Sequence, residues 1–411
     1  MEKPIFISLS PNVEKDDLSL VERLILQPRK WKNGMATAQL EKSFRDYFKV
    51  SEAIAFNSGR SAFLAILRAL DIKKGDEVLL QAFTCNAAVN PILKIEAKPV
   101  FIDIDESFNI QPEDLRKKIT NKSKAIVVQH TFGVPAKMRE IMTIAKENNL
   151  LVIEDVAHGL GSKYNGKFCG TFGDASFFSF GRDKIISSVF GGMAIAKNKN
   201  IVEKIRDYQR EIDYPSHIWI LQQLLHPILI NYFVLPGFYL NSFLGKLLLV
   251  FFQKFKILSK AVYEKEKEGE LANYFPKKLP NALALLACHQ FEKLDRLNNH
   301  RKNMVAIYNS YGFDAQRINQ DTEPVFMRFS VLVGNTDEKL ETFRKKKIFL
   351  NDGWRKSSVV PKGTDLAKMN YLGDCKRAED VANRIINLPT HINISEDQVV
   401  NIAKILRFYE D

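Results

Sequence analysis

The sequence predicts an α/β protein: a large domain around a mostly parallel sheet, followed by a smaller C-terminal α/β domain. Three observations carry this expectation. Apolar strand patterns alternate with helical ones between residues 36 and 155, as βαβ units require. At 411 residues, 45% hydrophobic and 26% charged, the chain can bury more than one core and is too apolar to stay disordered. After about residue 205 the texture changes, and residues 214–245 contain no Asp, Glu, Lys or Arg. These shifts place a large domain at 1–205, an apolar helical insertion at 206–270, and a C-terminal small domain with a linking helix at 271–411.

The elements follow in order. In ATAQLEKSFRDYF (36–48), Leu40, Phe44 and Phe48 fall at helical spacing. Residues 52–56 (EAIAF) read as a short strand, and SGRSAFLAILRAL (58–70) as an apolar helix. GDEVLLQ (75–81) is a strand, 86–95 a helix despite Pro91, and KPVFIDID (98–105) a strand. A helix at 112–119, a buried strand at 125–130, a helix at 136–147 and a strand at 150–155 (LLVIED) complete the alternation. A long helix is expected over 281–310 and an amphipathic one over 396–409.

Composition narrows the function. Sixty Lys plus Arg against 48 Asp plus Glu give a net charge of +12, which suits an anionic surface or a phosphorylated metabolite. No zinc-finger pattern, RNP motif or long basic run supports nucleic acid. Cys85, Cys169, Cys288 and Cys375 form no CxxC pair, so neither a zinc ribbon nor a disulfide scaffold is indicated, and a reducing cytoplasm is expected. The start, Met1-Glu2-Lys3-Pro4, lacks the charged-then-apolar pattern of a signal peptide.

Four features carry chemistry. Ser58-Gly59-Arg60-Ser61 joins a strand to a helix, where unpaired N–H groups and the positive dipole end attract an anion; the plainer reading is a helix cap by Ser58. Glu154-Asp155-Val156-Ala157-His158 closes an apolar strand, and ligands of open α/β sheets bind beyond strand carboxyl ends. Asp155 there suits a cationic ring nitrogen, or else caps the next helix. Gly170-Thr171-Phe172-Gly173-Asp174 reads as a structural turn. It leads into Ser176-Phe177-Phe178-Ser179-Phe180-Gly181-Arg182-Asp183-Lys184, where a lysine sits in an aromatic, confined context. A confined amine loses pKa and forms Schiff bases with aldehydes.

This order of motifs resembles the DegT/DnrJ/EryC1/StrS family of pyridoxal-phosphate-dependent sugar aminotransferases, fold type I. The likeness rests on FNSGRSAFLAIL (56–67), GDEVLLQAFTCNAAVNPIL (75–93), AKPVFIDID (97–105), HTFGVPAKM (130–138), VIEDVAHGLGSKYNGKFCGTFGDASFFSFGRDK (152–184), FGGM (190–193) and NLPTHINISEDQVVNIAKIL (387–406).

The resemblance implies that the cofactor is pyridoxal 5'-phosphate and that Lys184 holds it covalently and moves protons during transfer. Asp155 matches the aspartate paired with the protonated ring nitrogen, and His158 the Gln or His near the ring and its phenolic oxygen. Ser58, Gly59, Arg60 and Ser179 match the phosphate-holding segment. Phe83 and Cys85 lie where a stacking side chain is usual. Arg60 departs from the family's common Thr, so its charge is expected to join the phosphate grip or reach toward the substrate. The family's Asn-Tyr-Arg segment from the neighbouring subunit is not visible, and Asn281 in Leu279-Pro280-Asn281-Ala282 stands in for it.

The implied activity is transfer of an amino group from glutamate or glutamine to a nucleotide-linked keto-sugar, for surface polysaccharide or glycan synthesis, in a homodimer. The alternatives are a sugar dehydratase, a cyclitol aminotransferase or a membrane-associated homologue without turnover. Lys184 argues against the dehydratase branch, which carries His at that position.

The insertion at 214–258 is more apolar than a surface loop needs. Pro227, Pro236-Gly237 and polar Gln222, Gln223, Asn231 and Asn241 interrupt it, short of the ~20 continuous apolar residues of a span. Two or three short helices with a turn near Pro236-Gly237 are expected. Lys246, Lys254, Lys256 and Lys260 flank the last one, as on an interfacial helix. The segment packs into the core or the dimer interface, or 217–258 contacts a membrane surface from the cytoplasmic side, or, against the length rule, it spans the membrane.

Overall fold

The computed structural model describes residues 4–408. A seven-stranded sheet forms its centre. We number its strands β1 (Ala53–Phe56), β2 (Glu77–Gln81), β3 (Lys98–Ile102), β4 (Ser123–Gln129), β5 (Leu151–Asp155), β6 (Ala175–Ser179) and β7 (Gly192–Ala196). Their spatial order is β1-β7-β6-β5-β4-β2-β3. Neighbours from β3 to β6 run parallel, whereas β7 is antiparallel to both β6 and β1.

The strands are continuous apolar runs because both faces are covered. Ile54, Val78, Leu79, Ile126, Val128, Ile153 and Phe178 are all fully buried. Helix Gly59–Ala69 packs across the sheet beside β6 and β7. Gly192 permits that approach: a Cβ there would lie 2.4 Å from the backbone nitrogen of Gly59.

The remaining polypeptide builds two further clusters. Met304, Val305, Tyr308, Phe329, Val331, Ile386 and Ile402 form a separate core around the antiparallel pair Phe329–Leu332 and Ile385–Leu388. The N-terminal pair Ile5–Phe6 joins this unit, running parallel to Ile348–Phe349. Ile5, expected within the large domain, thus belongs to the C-terminal core, and Phe6 packs on the cluster of the insertion. The large core in turn recruits late residues, including Ala282, Leu283, Trp354, Val359, Met369 and Ala378. Ile230, Val234, Phe238 and Leu258 form a small third cluster inside the insertion.

Two expected elements differ. The long helix over 281–310 is divided at Lys293 into Asn281–Glu292 and Leu294–Asn309. Lys293 reaches Asp16 at 2.7 Å and Asp17 at 3.1 Å across that break. In the insertion, Pro236-Gly237 is not a turn. His217–Leu229, the wide turn Ile230–Val234 and Leu235–Leu240 form one helical run. A π-type turn just before Pro236 relieves the missing N–H and the ring's bulk. The chain reverses instead at Asn241, which is extended and caps Ser242–Lys254 by accepting from Phe243 N at 2.7 Å. The C-terminal helix is Glu396–Phe408; residue 409 of the expected span lies outside the described residues.

Candidate active site

The carboxyl ends of β4, β5 and β6 open onto one cavity. Gln129, Asp155, Phe177 and Ser179 line it from the strands. In register, Asp155 pairs with Gln129 on one side and Phe177 on the other. Ser58, Gly59, Arg60, Cys85, His158 and Lys184 complete the wall together with Arg182, Asp352 and Trp354. Residues far apart in the sequence thus converge where an open α/β sheet binds its ligand.

At the anion end, Ser58 caps the helix Gly59–Ala69 by accepting from Ser61 N at 3.1 Å. The first-turn N–H groups of Gly59 and Arg60 have no intrahelical acceptor. A Cβ on Gly59 would stand 3.1 Å from Ser179 Cβ, so the Ser179 hydroxyl and this helix end form one cradle.

Asp155 is buried, and its Oδ1 accepts from Ala157 N at 2.9 Å. No helix follows it, so the capping alternative does not apply. Burial pushes its carboxyl up to about 6, against the pull of the Ala157 N–H, Lys184 and His130. A cationic ring nitrogen is the partner such a carboxylate lacks.

His158 is held neutral by burial and by the nearby cations Lys184 and Arg328. Its ring stacks on Phe132 at 5.5 Å and meets Trp354 edge-on at 5.0 Å. Phe132 N donates to Nδ1 at 3.3 Å, which leaves the proton on Nε2.

Lys184 sits in a loop fixed through its backbone. Its carbonyl accepts from Asn12 Nδ2 at 2.6 Å, and the next carbonyl, Ile185, accepts from buried Arg301 at 3.0 Å. Arg328, 2% exposed, lies between Asp183 (3.4 Å) and Asp352 (3.5 Å). Burial opposes ionisation of Asp183, but Lys184 and Arg328 outweigh it and hold the carboxyl below its usual range.

Three expected placements need correction. The Arg60 guanidinium is not free for a ligand: its Nε lies 2.9 Å from buried Glu266, its Nη2 donates to Ala261 O at 3.0 Å, and it lies over the Phe275 ring. It clamps the 261–266 segment over the cavity, and only its backbone N–H remains at the anion cradle. Phe83 does not line the cavity; it is fully buried between Phe108, Phe132 and Trp354, while Cys85 two residues on is at the wall. Asn281 is buried and consumed by its own chain, accepting from Ala36 N at 3.1 Å and donating to Lys30 O at 2.8 Å. Both polar atoms of its amide are thus engaged within its own chain.

Glu154, beside Asp155, does different work. It accepts from the N–H groups of Gly170, Phe172 and Gly173 and pairs with His130 at 3.2 Å. That carboxylate shapes the 170–174 turn, as the structural reading of its glycines expects. Trp354, Asp352, Arg328 and Asn12 were not legible as site residues, since each arrives from a separate part of the chain. Arg182 and Asp183 had a local signal, being adjacent to Lys184.

The model of the DegT/DnrJ/EryC1/StrS aminotransferase family matches residues 11–212 and 253–407. The chain belongs to that family. It is a pyridoxal-phosphate-dependent aminotransferase, and the gap in the match falls on the apolar insertion. The GDP-perosamine synthase of Escherichia coli O157:H7 is 28% identical over 386 residues, 92% of this chain and 91% of that protein. The GDP-perosamine synthase of Vibrio cholerae is 38% identical over 172 residues, but there the match spans only 42% of this chain and 47% of that protein. The fold is similar to that of Helicobacter pylori PseC, an aminotransferase involved in the biosynthesis of pseudoaminic acid, with a TM-score of 0.74, 22% identity and coverage of 99% of this chain and 100% of the other.

The donor set fits pyridoxal phosphate: an amine, a buried carboxylate with one oxygen uncommitted, a neutral histidine with a fixed proton, and a helix-end cradle beside a hydroxyl.

Proposed function

We propose that this aminotransferase moves an amino group from glutamate or glutamine to a nucleotide-linked keto-sugar, for surface polysaccharide or glycan synthesis. The observation that carries the reading is that Lys184, Asp155, His158 and the Gly59–Ser179 cradle line one cavity. The substrate class is supported by the E. coli relative, a GDP-perosamine synthase that matches along nearly its whole length. The net charge of +12 suits a diphosphate-bearing substrate.

Bound pyridoxal phosphate supplies an electron sink that acidifies the donor's α-proton and carries the amino group between half-reactions. The residues have separate tasks. Lys184 Nζ would hold the cofactor, and its amine would carry the proton taken from the donor's α-carbon. The Asp155 carboxylate keeps the ring nitrogen protonated. His158 Nε2–H is a donor for the ring's phenolic oxygen. Ser58 orders the helix end, the Gly59 and Arg60 N–H groups with the Ser179 hydroxyl grip the phosphate, and Cys85 shapes the wall.

We place the enzyme in the cytoplasm as a homodimer, with residues 217–258 against the inner face of a membrane. The test is single-turnover absorbance with glutamate, then with candidate nucleotide keto-sugars. Glutamate-dependent loss of the cofactor band, restored by a nucleotide keto-sugar, supports the reading. A band unmoved by either glutamate or glutamine overturns it.

A further inference from the structure

We infer that the insertion is a monotopic docking hairpin for an anionic lipid surface. The inference rests on the cytoplasmic, membrane-facing placement just given and adds the docking face, the depth and the lipid class. The hairpin's two limbs, His217–Leu240 and Ser242–Lys254, cross at two glycines. A Cβ on Gly245 would stand 2.5 Å from Phe238 N, and one on Gly237 would stand 3.1 Å from Gly245 Cα. Ile230, Val234, Phe238 and Leu258 fill the inner side of the hairpin, where it packs on Phe6, Leu9 and Phe349.

The outside is apolar as well. Leu240, Phe243, Leu247, Val250, Phe251 and Phe255 are 46–73% exposed. Residues 243, 247, 250 and 251 share one helical face. A helix apolar all round is buried against something, and among the described residues nothing covers that face.

By length the 24-residue first limb could cross a membrane, but its burial in the protein and the short second limb oppose a span. The second limb has 13 residues, about 20 Å of helix against a hydrocarbon core of about 30 Å. In the first limb, Trp219, Ile220 and Leu224 are committed to the main core of the protein. Phe238 near the tip packs on Phe6 and Phe349, so the free surface is the outward face of the second limb, which can lie in the interface but not cross it.

Charge identifies the covering surface. Residues 214–263 contain no Asp or Glu but carry Lys246, Lys254, Lys256 and Lys260. Among the described residues, no ion pair engages Lys246, Lys254 or Lys256. A second copy packed here about a two-fold axis would bring these lysines together with no carboxylate from the same segment between them. Anionic headgroups around an apolar footprint satisfy both features.

The hairpin base is also tied to the active site. Arg182 donates to Ser259 O at 2.6 Å, and the Ser259 hydroxyl donates to Gln223 of the first limb at 2.6 Å. The docking face therefore has a fixed attitude relative to the cavity.

The experiment is vesicle flotation of the full-length, cofactor-loaded protein. Phosphatidylglycerol-rich vesicles should carry at least tenfold more protein than pure phosphatidylcholine vesicles. Leu247→Asp/Phe251→Asp should cut binding at least tenfold, and Lys254→Glu/Lys256→Glu should abolish the preference for anionic lipid. Both variants should keep the wild-type oligomeric state and the wild-type turnover of a soluble nucleotide keto-sugar, which separates failure of docking from failure of the aminotransferase reading. Absence of flotation on anionic vesicles overturns the inference. So does undiminished flotation of the Leu247→Asp/Phe251→Asp variant, or a fall in the mass of its native assembly, which would mean that a second copy covers the face.

Discussion

Asn12 Nδ2 donates to the carbonyl of Lys184 at 2.6 Å, while Asn12 Oδ1 accepts from Arg301 at 2.9 Å. A residue from the N-terminal segment therefore holds the backbone of the lysine proposed to carry the cofactor. Asn12→Ala should leave Arg301 short of an acceptor and cost about 1–3 kcal/mol of stability. It should also slow trapping of the cofactor on Lys184 by several-fold. Melting temperature and the rate of reductant-trapped adduct formation check the two effects separately. A variant that melts lower but traps at the wild-type rate would make Asn12 a purely structural residue.

Arg60 and Glu266 form a nearly buried pair across the cavity wall, 2.9 Å apart. Removing one partner of such a pair strands the other charge, at a cost of about 3–5 kcal/mol, whereas removing both often costs far less. Glu266→Gln alone should thus lower the melting temperature more than Arg60→Met/Glu266→Gln. The single variant should also release cofactor faster, because the 261–266 segment loses its clamp. Thermal denaturation and dialysis off-rates of the cofactor measure these outcomes.

Asp155 gives a pH signature. Its carboxyl titrates near 3.8 in an unfolded chain but near 6 in the folded, cofactor-free protein, because burial disfavours the charge. The folded state therefore binds the proton more tightly, and stability falls as pH rises from about 4 to 6, then levels off. The shift corresponds to roughly 2–3 kcal/mol. Asp155→Asn should match wild type at pH 4 and melt a few degrees higher at pH 7, both measured without cofactor. In the loaded enzyme the same change should cost on the order of 10²–10³ in kcat, since the ring nitrogen loses its counter-charge.

His158 should be separable into donor and ring. His158→Gln retains an N–H and should lose less than tenfold in kcat/KM. His158→Ala loses the donor and also the contacts with Phe132 and Trp354, and should lose on the order of 10²-fold. Equal losses in the two variants would show that the imidazole acts through packing alone.

The sheet and the cavity's central residues were legible because their signals are local. β2 through β5 are short apolar runs flanked by helical patterns, and Ser58-Gly59, Asp155 and Lys184 each stand beside a strand end. What escaped is set by tertiary contact. Asn281 reads as a spare polar residue near a proline, yet its amide is spent on Ala36 and Lys30, more than 240 residues away in sequence. Arg60 reads as a ligand for phosphate, but Glu266, some 200 residues further along the chain, claims its guanidinium. Pro236 reads as a helix breaker, and only the wide turn before it lets the helix continue. Trp354 and Arg328 carry no motif at all and are brought to the site by the packing of the C-terminal segment.

The central claim is tested most directly by reducing the pyridoxal-phosphate-loaded enzyme with borohydride and mapping the adduct by peptide mass spectrometry. The account predicts a single pyridoxyl modification on Lys184, absent from Lys184→Ala, together with loss of glutamate-dependent turnover in that variant. An adduct on another lysine, or a Lys184→Ala enzyme that still transfers amino groups, would contradict it.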